Sequence, residues 1–439
     1  MVSTPRRALS SSTAHRQSTA LRWSLAGIGV LVVSYSAGIL LEDQGWVTHQ
    51  FPQTVLWCAL PYAMTGYWIY HGAHLPQFEE RRFLLLATTA PYIAATLAFA
   101  LLQQSYSRGA VLLVYLLSSL WFMAGHWRNR GRSILCLGYI DAGVPQRLAT
   151  LLGDASTGPQ QIELSRWMPD EDTAGPTVPA AAPSWTGVVL DRDVPSSAAR
   201  ERWISDLRLQ HMRVYSVEAV AELLTGRKIL PSSHTEELWS LDGNPAYDSC
   251  KRLTDLFIIL AALPFWLPLC IAAGLAVRLD SPGPALFSQM RIGRNGQPFR
   301  MWKLRSMRHT DGSEGACFAQ PNDARVTRVG RLIRRTRLDE LPQLWNVLRG
   351  DMSLIGPRPE QTEFVQVFAG RIPAYPYRHL VRPGLTGWAQ VQQGYVDSET
   401  QTAVKLSYDL YYVTHYSMAL DMLIAYKTIQ IISGGVGAR

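Results

Sequence analysis

Four apolar runs fill the first third of the chain: Trp23–Leu41, Gln53–Tyr70, Phe83–Leu102 and Gly109–Ala124. Each is near the ~20 residues that a helix needs to cross a bilayer. The second run is the least regular, with Pro61 inside it and His71 and His74 at its end. A Ser/Thr/Arg-rich tail precedes the first run, and its composition predicts disorder. The long run that follows, succeeded by others, argues against a cleaved signal peptide. Basic residues lie before run one (Arg6, Arg7, Arg16, Arg22), between runs two and three (Arg81, Arg82) and after run four (Arg128, Arg130, Arg132). Glu42 and Asp43 follow run one, and only Arg108 separates runs three and four. The positive-inside rule then puts both ends of this block in the cytoplasm. No Lys, Asp or Glu falls within the runs. The block therefore reads as an anchor or assembly unit, since a transport path needs polar groups at midplane.

The pattern then changes to short alternating elements. Ser133–Gly138 is an apolar run ending in glycine, and the amphipathic stretch Val144–Leu152 follows. Strands are predicted at Gly187–Leu190 and Met212–Ser216, and helices at Ser197–Gln210 and Val217–Leu224. This alternation predicts a small Rossmann-like α/β domain. Its Gly138-x4-Gly143 turn lacks the middle glycine of a dinucleotide fingerprint, so a structural role is favoured over cofactor binding. Pro169–Pro183 reads as a loop and Thr225–Asp248 as a polar linker.

A fifth apolar run, Leu253–Val277, has Lys251 and Arg252 before it and Arg278 after it. Basic residues at both ends argue against a simple crossing. Pro264 and Pro268 lie in its middle, where each removes a backbone donor and crowds the preceding turn. A re-entrant helix–break–helix satisfies both facts, and an ordinary kinked span is the alternative. Beyond it, Ala285–Gly296 and Phe299–Met307 read as a strand pair, the second alternating apolar with basic residues. Helices are predicted at Thr362–Phe368, Glu399–Val413 and Ser417–Ile432. The apolar face of Glu399–Val413 is expected to pack in a core. In the last helix, Leu420, Leu423, Ile424, Lys427, Ile431 and Ile432 suit an interfacial position against lipid headgroups.

The fold class expected is therefore an α+β membrane protein. A disordered cytoplasmic tail (1–22) leads to a block of four transmembrane helices (23–126). The Rossmann-like domain (132–228) and a linker (229–250) follow. The last domain (251–439) joins a re-entrant hairpin (253–278) to a mainly helical cytoplasmic part.

Composition agrees: 47% of the 439 residues are hydrophobic, only 17% are charged and there are 14 Trp, which suits a membrane protein. The net charge of +8 favours acidic partners. Between Arg291 and Arg349, twelve Arg and one Lys face five acids, a net of +8 in that stretch alone. Stacking aromatics are few there and a membrane segment lies just before it. Pyrophosphate or lipid phosphate is thus expected as the anion, and not nucleic acid. Five scattered cysteines without a CxxC pair indicate neither zinc nor a disulfide frame.

Within this basic stretch, Asp339 and Glu340 are adjacent carboxylates. Arg331, Arg334, Arg335 and Arg337 come before them, and Arg349 and Arg358 after them. Such a pair suits phosphoryl chemistry, one acid attacking or holding a metal while arginines hold phosphate oxygens. A salt-bridged amphipathic helix is the alternative reading of the same stretch.

Several motifs in order resemble the bacterial sugar transferase family of monotopic polyprenyl-phosphate hexose-1-phosphate transferases. They are Ser249-Cys-Lys-Arg-Leu-Thr-Asp255, Lys303-Leu-Arg-Ser-Met307, Leu338-Asp-Glu-Leu-Pro-Gln343, Asn346 to Pro359, and Arg382-Pro-Gly-Leu-Thr-Gly-Trp388. The leading spans and the nucleotide-fold domain resemble the family's long form. Val214–Gly226 and the ending Gly434–Arg439 are similar to the exopolysaccharide branch associated with exosortase systems.

The resemblance implies an enzyme of the bacterial inner membrane whose catalytic domain faces the cytoplasm. Asp339 is implied as the nucleophile on the β-phosphate of a UDP-sugar. UMP leaves, and undecaprenyl phosphate then takes the sugar phosphate to start an exopolysaccharide or O-antigen repeat. Glu340 is implied to bind Mg²⁺, and Lys303, Arg305, Arg334, Arg358 and Arg382 to hold phosphates. The family commonly has Ser-Pro at the hairpin break, whereas this chain has Leu267-Pro268 and the extra Pro264. No motif reads the sugar, and glucose is the expectation from the long-form branch. A homodimer through the membrane block or middle domain is a candidate assembly. The sequence is also compatible with three rivals: a conventional glycosyltransferase releasing UDP, a non-catalytic membrane scaffold, and a nucleotide-sensing regulator of polysaccharide assembly.

Overall fold

A computed structural model of the protein describes residues 10–71, 80–130, 135–153, 162–166, 187–195, 197–209, 212–229, 245–308, 325–393 and 399–433. The predicted loop 169–183, most of the predicted linker, tail residues 1–9 and the ending 434–439 lie outside them. The chain forms two compact units, Met1–Ile229 and Leu230–Arg439.

The first unit begins with helices α1 (Ser10–Asp43), α2 (Gln50–Trp57), α3 (Ala59–His71), α4 (Glu80–Leu101) and α5 (Arg108–Arg130). Helix α1 starts at Ser10, ahead of the predicted run and inside the stretch expected to be disordered. The second predicted span is two helices of 8 and 13 residues that meet at Cys58. Pro61 accounts for this: it has no N–H for the Trp57 carbonyl, and its ring crowds that carbonyl. Long enough and apolar enough to cross a membrane are Arg22–Asp43 of α1, Phe83–Leu101 of α4 and Arg108–Gly125 of α5.

These helices pack through small residues and hydroxyl or indole bonds, as expected where lipid offers no hydrophobic drive between helices. Trp23 and Trp121 stack with centroids 4.6 Å apart. Each indole N–H donates to the other residue's carbonyl, at 3.1 and 3.0 Å. The Tyr92 hydroxyl donates to Ser118 Oγ, 2.8 Å away.

A four-stranded sheet follows, with β1 (Leu135–Tyr139), β2 (Ile162–Arg166), β3 (Gly187–Leu190) and β4 (Val214–Ser216) in the order β2-β1-β3-β4. All its pairings are parallel. Helices α6 (Val144–Leu152), α7 (Ala198–Leu209) and α8 (Val217–Thr225) accompany it. Leu137, Val144, Leu148, Val189, Val217 and Val220 make one core cluster. Val188, Leu190 and Leu207 make another. Strand β2 was absent from the sequence reading because Ile-Glu-Leu-Ser-Arg is a short edge strand with partly exposed positions. Just beyond the C-terminal ends of β1 and β3, Asp141 pairs with Arg200 at 2.8 Å and Asp191 pairs with Arg147. The Asp141 carboxylate also accepts the Asp191 N–H. The turn after Gly138 is thus closed by ion pairs at the edge where open parallel sheets bind ligands.

The second unit is built on α9 (Pro245–Asp280), a 36-residue helix that is also long and apolar enough to cross a membrane. Helix continues through Pro264 and Pro268, so the expected break is not a gap in the helix. The Trp266 indole donates to the Ile259 carbonyl two turns earlier, at 3.1 Å. Asp255, Ile259, Trp266, Ala273 and Val277 are buried, spaced as one helical stripe. The opposite side is apolar and open: Leu253, Phe257, Leu260, Phe265, Ile271 and Leu275 are exposed.

Strands β5 (Leu286–Ile292) and β6 (Pro298–Leu304) form the predicted hairpin. Helices α10 (Arg328–Arg335) and α11 (Gln343–Arg349) follow, joined by a short 3₁₀ turn at Leu338–Glu340. Strand β7 (Ser353–Ile355) pairs in parallel with β8 (Gly384–Thr386). Helices α12 (Thr362–Arg371), α13 (Trp388–Gln393), α14 (Glu399–His415) and α15 (Met418–Ser433) complete the unit. Helix α14 buries Leu406, Leu410, Tyr411 and Tyr412, as expected. The interfacial expectation for α15 is corrected: Leu420, Leu423, Ile424 and Lys427 are buried in the unit, and only the last turns expose Ile429 and Ile432. Lys427 is accommodated by its bond to Gln392, at 2.9 Å, and by the Trp388 ring.

In the membrane block, a Cβ on Gly27 would lie 2.0 Å from Tyr62 Oη and 2.4 Å from Trp121 Nε1. Gly27→Ala is expected to force the Trp23–Trp121 pair apart at a cost of about 1–3 kcal/mol. A thermal melt of the purified protein in detergent checks this, and an unchanged melting temperature counts against the packing described.

Candidate active site

Three short elements bring the adjacent carboxylates to one place. Helix α10 ends at Arg335, and Arg337 turns the chain with φ +58°, a left-handed conformation uncommon outside glycine. The 3₁₀ turn then carries Leu338 against the cluster of Ala273, Val277, Leu304 and Ile333. Asp339 and Glu340 are both buried. Pro342 caps α11, whose Asn346 is fully buried. Asn346 Nδ2 donates to the Arg300 carbonyl at 2.8 Å, and its Oδ1 accepts the Trp302 N–H at 3.1 Å. That amide fastens α11 to β6. Lys303 lies on the β6 face that carries Phe299 and Met301, which pack in one cluster with Leu341 and Leu344.

The two carboxylates are treated differently. Arg358 donates to Glu340 Oε1 at 2.7 Å. Lys303 Nζ lies 3.6 Å and Arg337 3.8 Å from the same oxygen. Burial alone raises the Glu340 carboxyl, but Arg358, Lys303 and Arg337 outweigh it and hold the group down at about 2. Asp339 has no hydrogen bond or ion pair with any described residue. Burial first and the Glu340 charge second raise its carboxyl above the usual range, against Lys303, Arg337 and Arg334. Lys303 is pushed down by burial and by Arg358. One acid is thus a fixed counter-ion and the other is left unbonded.

Of the cations near the pair in sequence, Arg337 and Arg358 meet Glu340, and Arg334 acts on Asp339 through its field. The Arg334 side chain makes no bond to another described residue, which leaves its guanidinium available to an anion. Arg349 instead pairs with Asp351, at 3.6 Å. Arg305, named in the expected phosphate set, faces backbone oxygens beyond α9. Its buried guanidinium donates to the carbonyls of Pro282 (2.6 Å) and Ser281 (2.7 Å) and to Ser281 Oγ (3.0 Å). It stands just past the end of β6, where it satisfies chain-end carbonyls after α9. Arg382 is also apart from the acid pair. It lines a pocket with Asp248, Lys251, Arg252 and Arg294, and its Nε donates to the Gly350 carbonyl at 3.2 Å. Burial, then Arg294 and Arg252, lower its affinity for its proton, against the opposing charges of Asp248 and Asp255.

Sequence reasoning missed the groups that hold the Gly356-Pro-Arg-Pro359 turn. Arg378 donates to the Arg358 carbonyl at 2.8 Å and Arg291 to the Pro359 carbonyl at 3.2 Å. Arg291 also faces Glu360, which pairs with Lys405. Their sequence signal is only that charges recur at Arg378, Lys405 and Asp409 within otherwise apolar helical stretches.

Among the described residues no three His, Cys, Asp or Glu side chains cluster as a ready metal cage. A hard divalent ion such as Mg²⁺ is often held by one or two carboxylates together with substrate phosphates and water. Asp339 and the second oxygen of Glu340, which none of its three cations approaches most closely, suit that arrangement.

Residues 246–435 match the family described as Bacterial sugar transferase. The chain is 46% identical over 256 residues to a UDP-N-acetylgalactosamine-undecaprenyl-phosphate N-acetylgalactosaminephosphotransferase of Aeromonas hydrophila. That match covers 58% of this chain and 60% of the relative, less than two thirds of its length. A UDP-glucose:undecaprenyl-phosphate glucose-1-phosphate transferase of Escherichia coli (strain K12) is 30% identical over 351 residues, covering 74% of this chain and 73% of the relative. The Exopolysaccharide production protein PSS of Rhizobium leguminosarum bv. phaseoli is 41% identical over 186 residues, 41% of this chain and 92% of the relative.

The unequal environments of the two acids predict opposite effects on stability. Glu340 titrates below its unfolded value, so its contribution is present above about pH 4.5 and is lost as pH falls through about 2. At neutral pH, Glu340→Gln is expected to cost roughly 3 kcal/mol by leaving Arg358, Lys303 and Arg337 without their anion. Asp339 titrates above its unfolded value, so its charge costs stability once ionised. Asp339→Asn is expected to melt at or above the wild-type temperature. Parallel thermal melts at pH 7 check the contrast, and equal losses in both variants count against it.

Proposed function

The chain belongs to the bacterial sugar transferase family, and from that premise we propose that it transfers a sugar 1-phosphate from a UDP-sugar to undecaprenyl phosphate, with Asp339 as the nucleophile. The observation that carries this reading is the asymmetry of the acid pair: Glu340 is fixed by Arg358, while Asp339 is buried and unbonded. A carboxylate whose affinity for a proton is raised by burial and a neighbouring charge is, once ionised, a stronger nucleophile than an ordinary one.

In the first step an Asp339 oxygen forms a bond to the β-phosphorus of the UDP-sugar. The bond from that phosphorus to the oxygen bridging the two phosphates breaks, and UMP leaves with the electron pair. In the second step an oxygen of undecaprenyl phosphate attacks the same phosphorus. The phosphorus–Asp339 bond breaks, which frees the carboxylate and yields undecaprenyl-diphospho-sugar. Lys303 and Arg334 hold the diphosphate oxygens, and Glu340 keeps the cations in place between turnovers. Mg²⁺, when bound, would be held by Glu340 and would supply charge neutralisation at the diphosphate. Arg382 and its neighbours form a second cation cluster, suited to a phosphate of the same substrates.

On this proposal α9 is a re-entrant element of the bacterial inner membrane, with the catalytic unit in the cytoplasm. Straight, the helix would run about 54 Å, well beyond a hydrocarbon core of about 30 Å. Its N-terminal arm packs on Met301, Val347 and Met352, and its C-terminal arm on Leu304 and Ile333. Both arms therefore rest on the same unit, which favours entry and exit on one face. The exposed apolar side of α9 is then the lipid side. The product suits the first step of an exopolysaccharide or O-antigen repeat. The names of these relatives divide between N-acetylgalactosamine and glucose, so both donors belong in the assay.

Purified protein is incubated with UDP-N-acetylgalactosamine or UDP-glucose, Mg²⁺ and undecaprenyl phosphate, and the nucleotide released is identified. UMP is expected with one of the two donors, and Asp339→Asn is expected to lower turnover by a factor of at least about 10³. Release of UDP indicates a conventional glycosyltransferase, and no nucleotide at all contradicts the proposal. For topology, Leu267→Cys is expected to resist a membrane-impermeant maleimide added from the periplasmic side. Labelling there contradicts re-entry.

A further inference from the structure

The Glu340–Arg358 pair depends on where the Gly356–Pro359 turn holds the Arg358 backbone. Two prolines flank Arg358, so the turn offers few N–H groups of its own for hydrogen bonds. Its carbonyls are instead held from outside. Pro357 accepts from the Gly384 N–H at 2.9 Å, Glu360 from the Ile292 N–H at 3.1 Å and Pro359 from Arg291 at 3.2 Å. The carbonyl of Arg358 itself accepts from Arg378 Nη2 at 2.8 Å.

Arg378 has little freedom. It is 3% exposed, and its guanidinium pairs with Asp409, 2% exposed, at 2.7 Å. Its other terminal nitrogen donates to Tyr375 Oη at 2.9 Å. Tyr375 packs with Phe368, Leu406 and Leu410. Asp409 lies on α14 amid that cluster, with Leu406 and Leu410 beside it in sequence. A fully buried ion pair rarely adds stability that apolar side chains of the same volume would not supply. What an apolar pair cannot supply is a donor to the Arg358 carbonyl.

Resting on the reading of Asp339 and Glu340 as the reacting pair, we propose that Arg378 and Asp409 are positioning residues of the transfer reaction. They touch neither substrate nor acid pair. Asp409 orients Arg378, Arg378 fixes the Arg358 backbone, and Arg358 then meets Glu340. Loss of the link moves Arg358 off Glu340, which weakens the cation frame around the phosphates while the nucleotide end of the donor still binds.

Two variants separate positioning from folding. Arg378→Lys keeps the charge opposite Asp409 but lacks the fork that reaches two acceptors at once. The paired Arg378→Met, Asp409→Leu protein replaces the ion pair by apolar side chains of similar volume and is expected to fold. Both are expected to lose kcat by about tenfold or more, with KM for the UDP-sugar changed by less than about threefold. In an Arg358→Lys background the paired substitution is expected to add less than about a twofold further loss, because both changes act through one link. Wild-type kcat in either folded variant overturns the proposal. So do losses that multiply in full in the Arg358→Lys background, and so does a rise in KM alone. A wild-type protein that releases UMP while the variants keep kcat removes only this inference. A wild-type protein that releases no UMP removes the functional reading and the inference with it.

Discussion

Two carboxylates side by side in a buried turn cannot both stand without counter-charge. The second unit resolves this by giving nearly all the close cationic contacts to one of them. Glu340 takes Arg358 at 2.7 Å, with Lys303 and Arg337 just beyond hydrogen-bond range. Asp339 receives only the field of those cations and of Arg334. The surrounding architecture follows from that division. Asn346 fastens α11, the helix after the acid-bearing turn, to β6, β6 delivers Lys303, and the carbonyl clamp at the Gly-Pro-Arg-Pro turn delivers Arg358. Asp339, the acid proposed to react, is the one that folding leaves unfavourably placed, an arrangement common at functional sites.

Helix α9 is the other fixed element. One stripe of it, from Asp255 to Val277, is the wall against which β6, α10, α11 and β7 pack. Ser353 on β7 donates to Asp255 at 2.6 Å, and Arg252 takes the carbonyls of Val347 and Leu348 at the end of α11. The membrane segment therefore also serves as the core of the catalytic unit. Its Ala273 and Val277 pack with Leu338, the first residue of the turn that holds the acids. Pro264 and Pro268 each remove a donor from this helix, and the Trp266 indole takes up the Ile259 carbonyl near them.

Much of this was legible in the chain. The apolar runs, the helices Val144–Leu152 and Thr362–Phe368, and the β5–β6 hairpin follow from periodicity that acts locally. The acid pair and its basic surroundings were legible because charge of that density in an apolar stretch is costly without a use. Which arginine serves which acid was not legible, because partners are set by tertiary packing. Lys303 and Arg305 are two residues apart in one motif, yet strand alternation ends at Leu304. Arg305 leaves the strand and turns to the carbonyls of Pro282 and Ser281. Arg382 reads as one more basic turn and lies instead beside Arg252 and Arg294. Helix α15 has the amphipathic look of a surface helix, but its apolar face is met by the rest of the unit. Pro61 was visible in the second run, and its effect is the division into α2 and α3.

The central claim is that Asp339, and not its neighbour, forms the bond to phosphorus. The protein can be incubated with a UDP-sugar labelled with ³²P in its β-phosphate, in the absence of undecaprenyl phosphate, quenched in acid and digested for peptide mapping by mass spectrometry. The account predicts a labelled acyl phosphate on Asp339 that disappears when undecaprenyl phosphate is added before the quench. Label on Glu340, or an unlabelled protein that still releases UMP once the lipid is supplied, would contradict it.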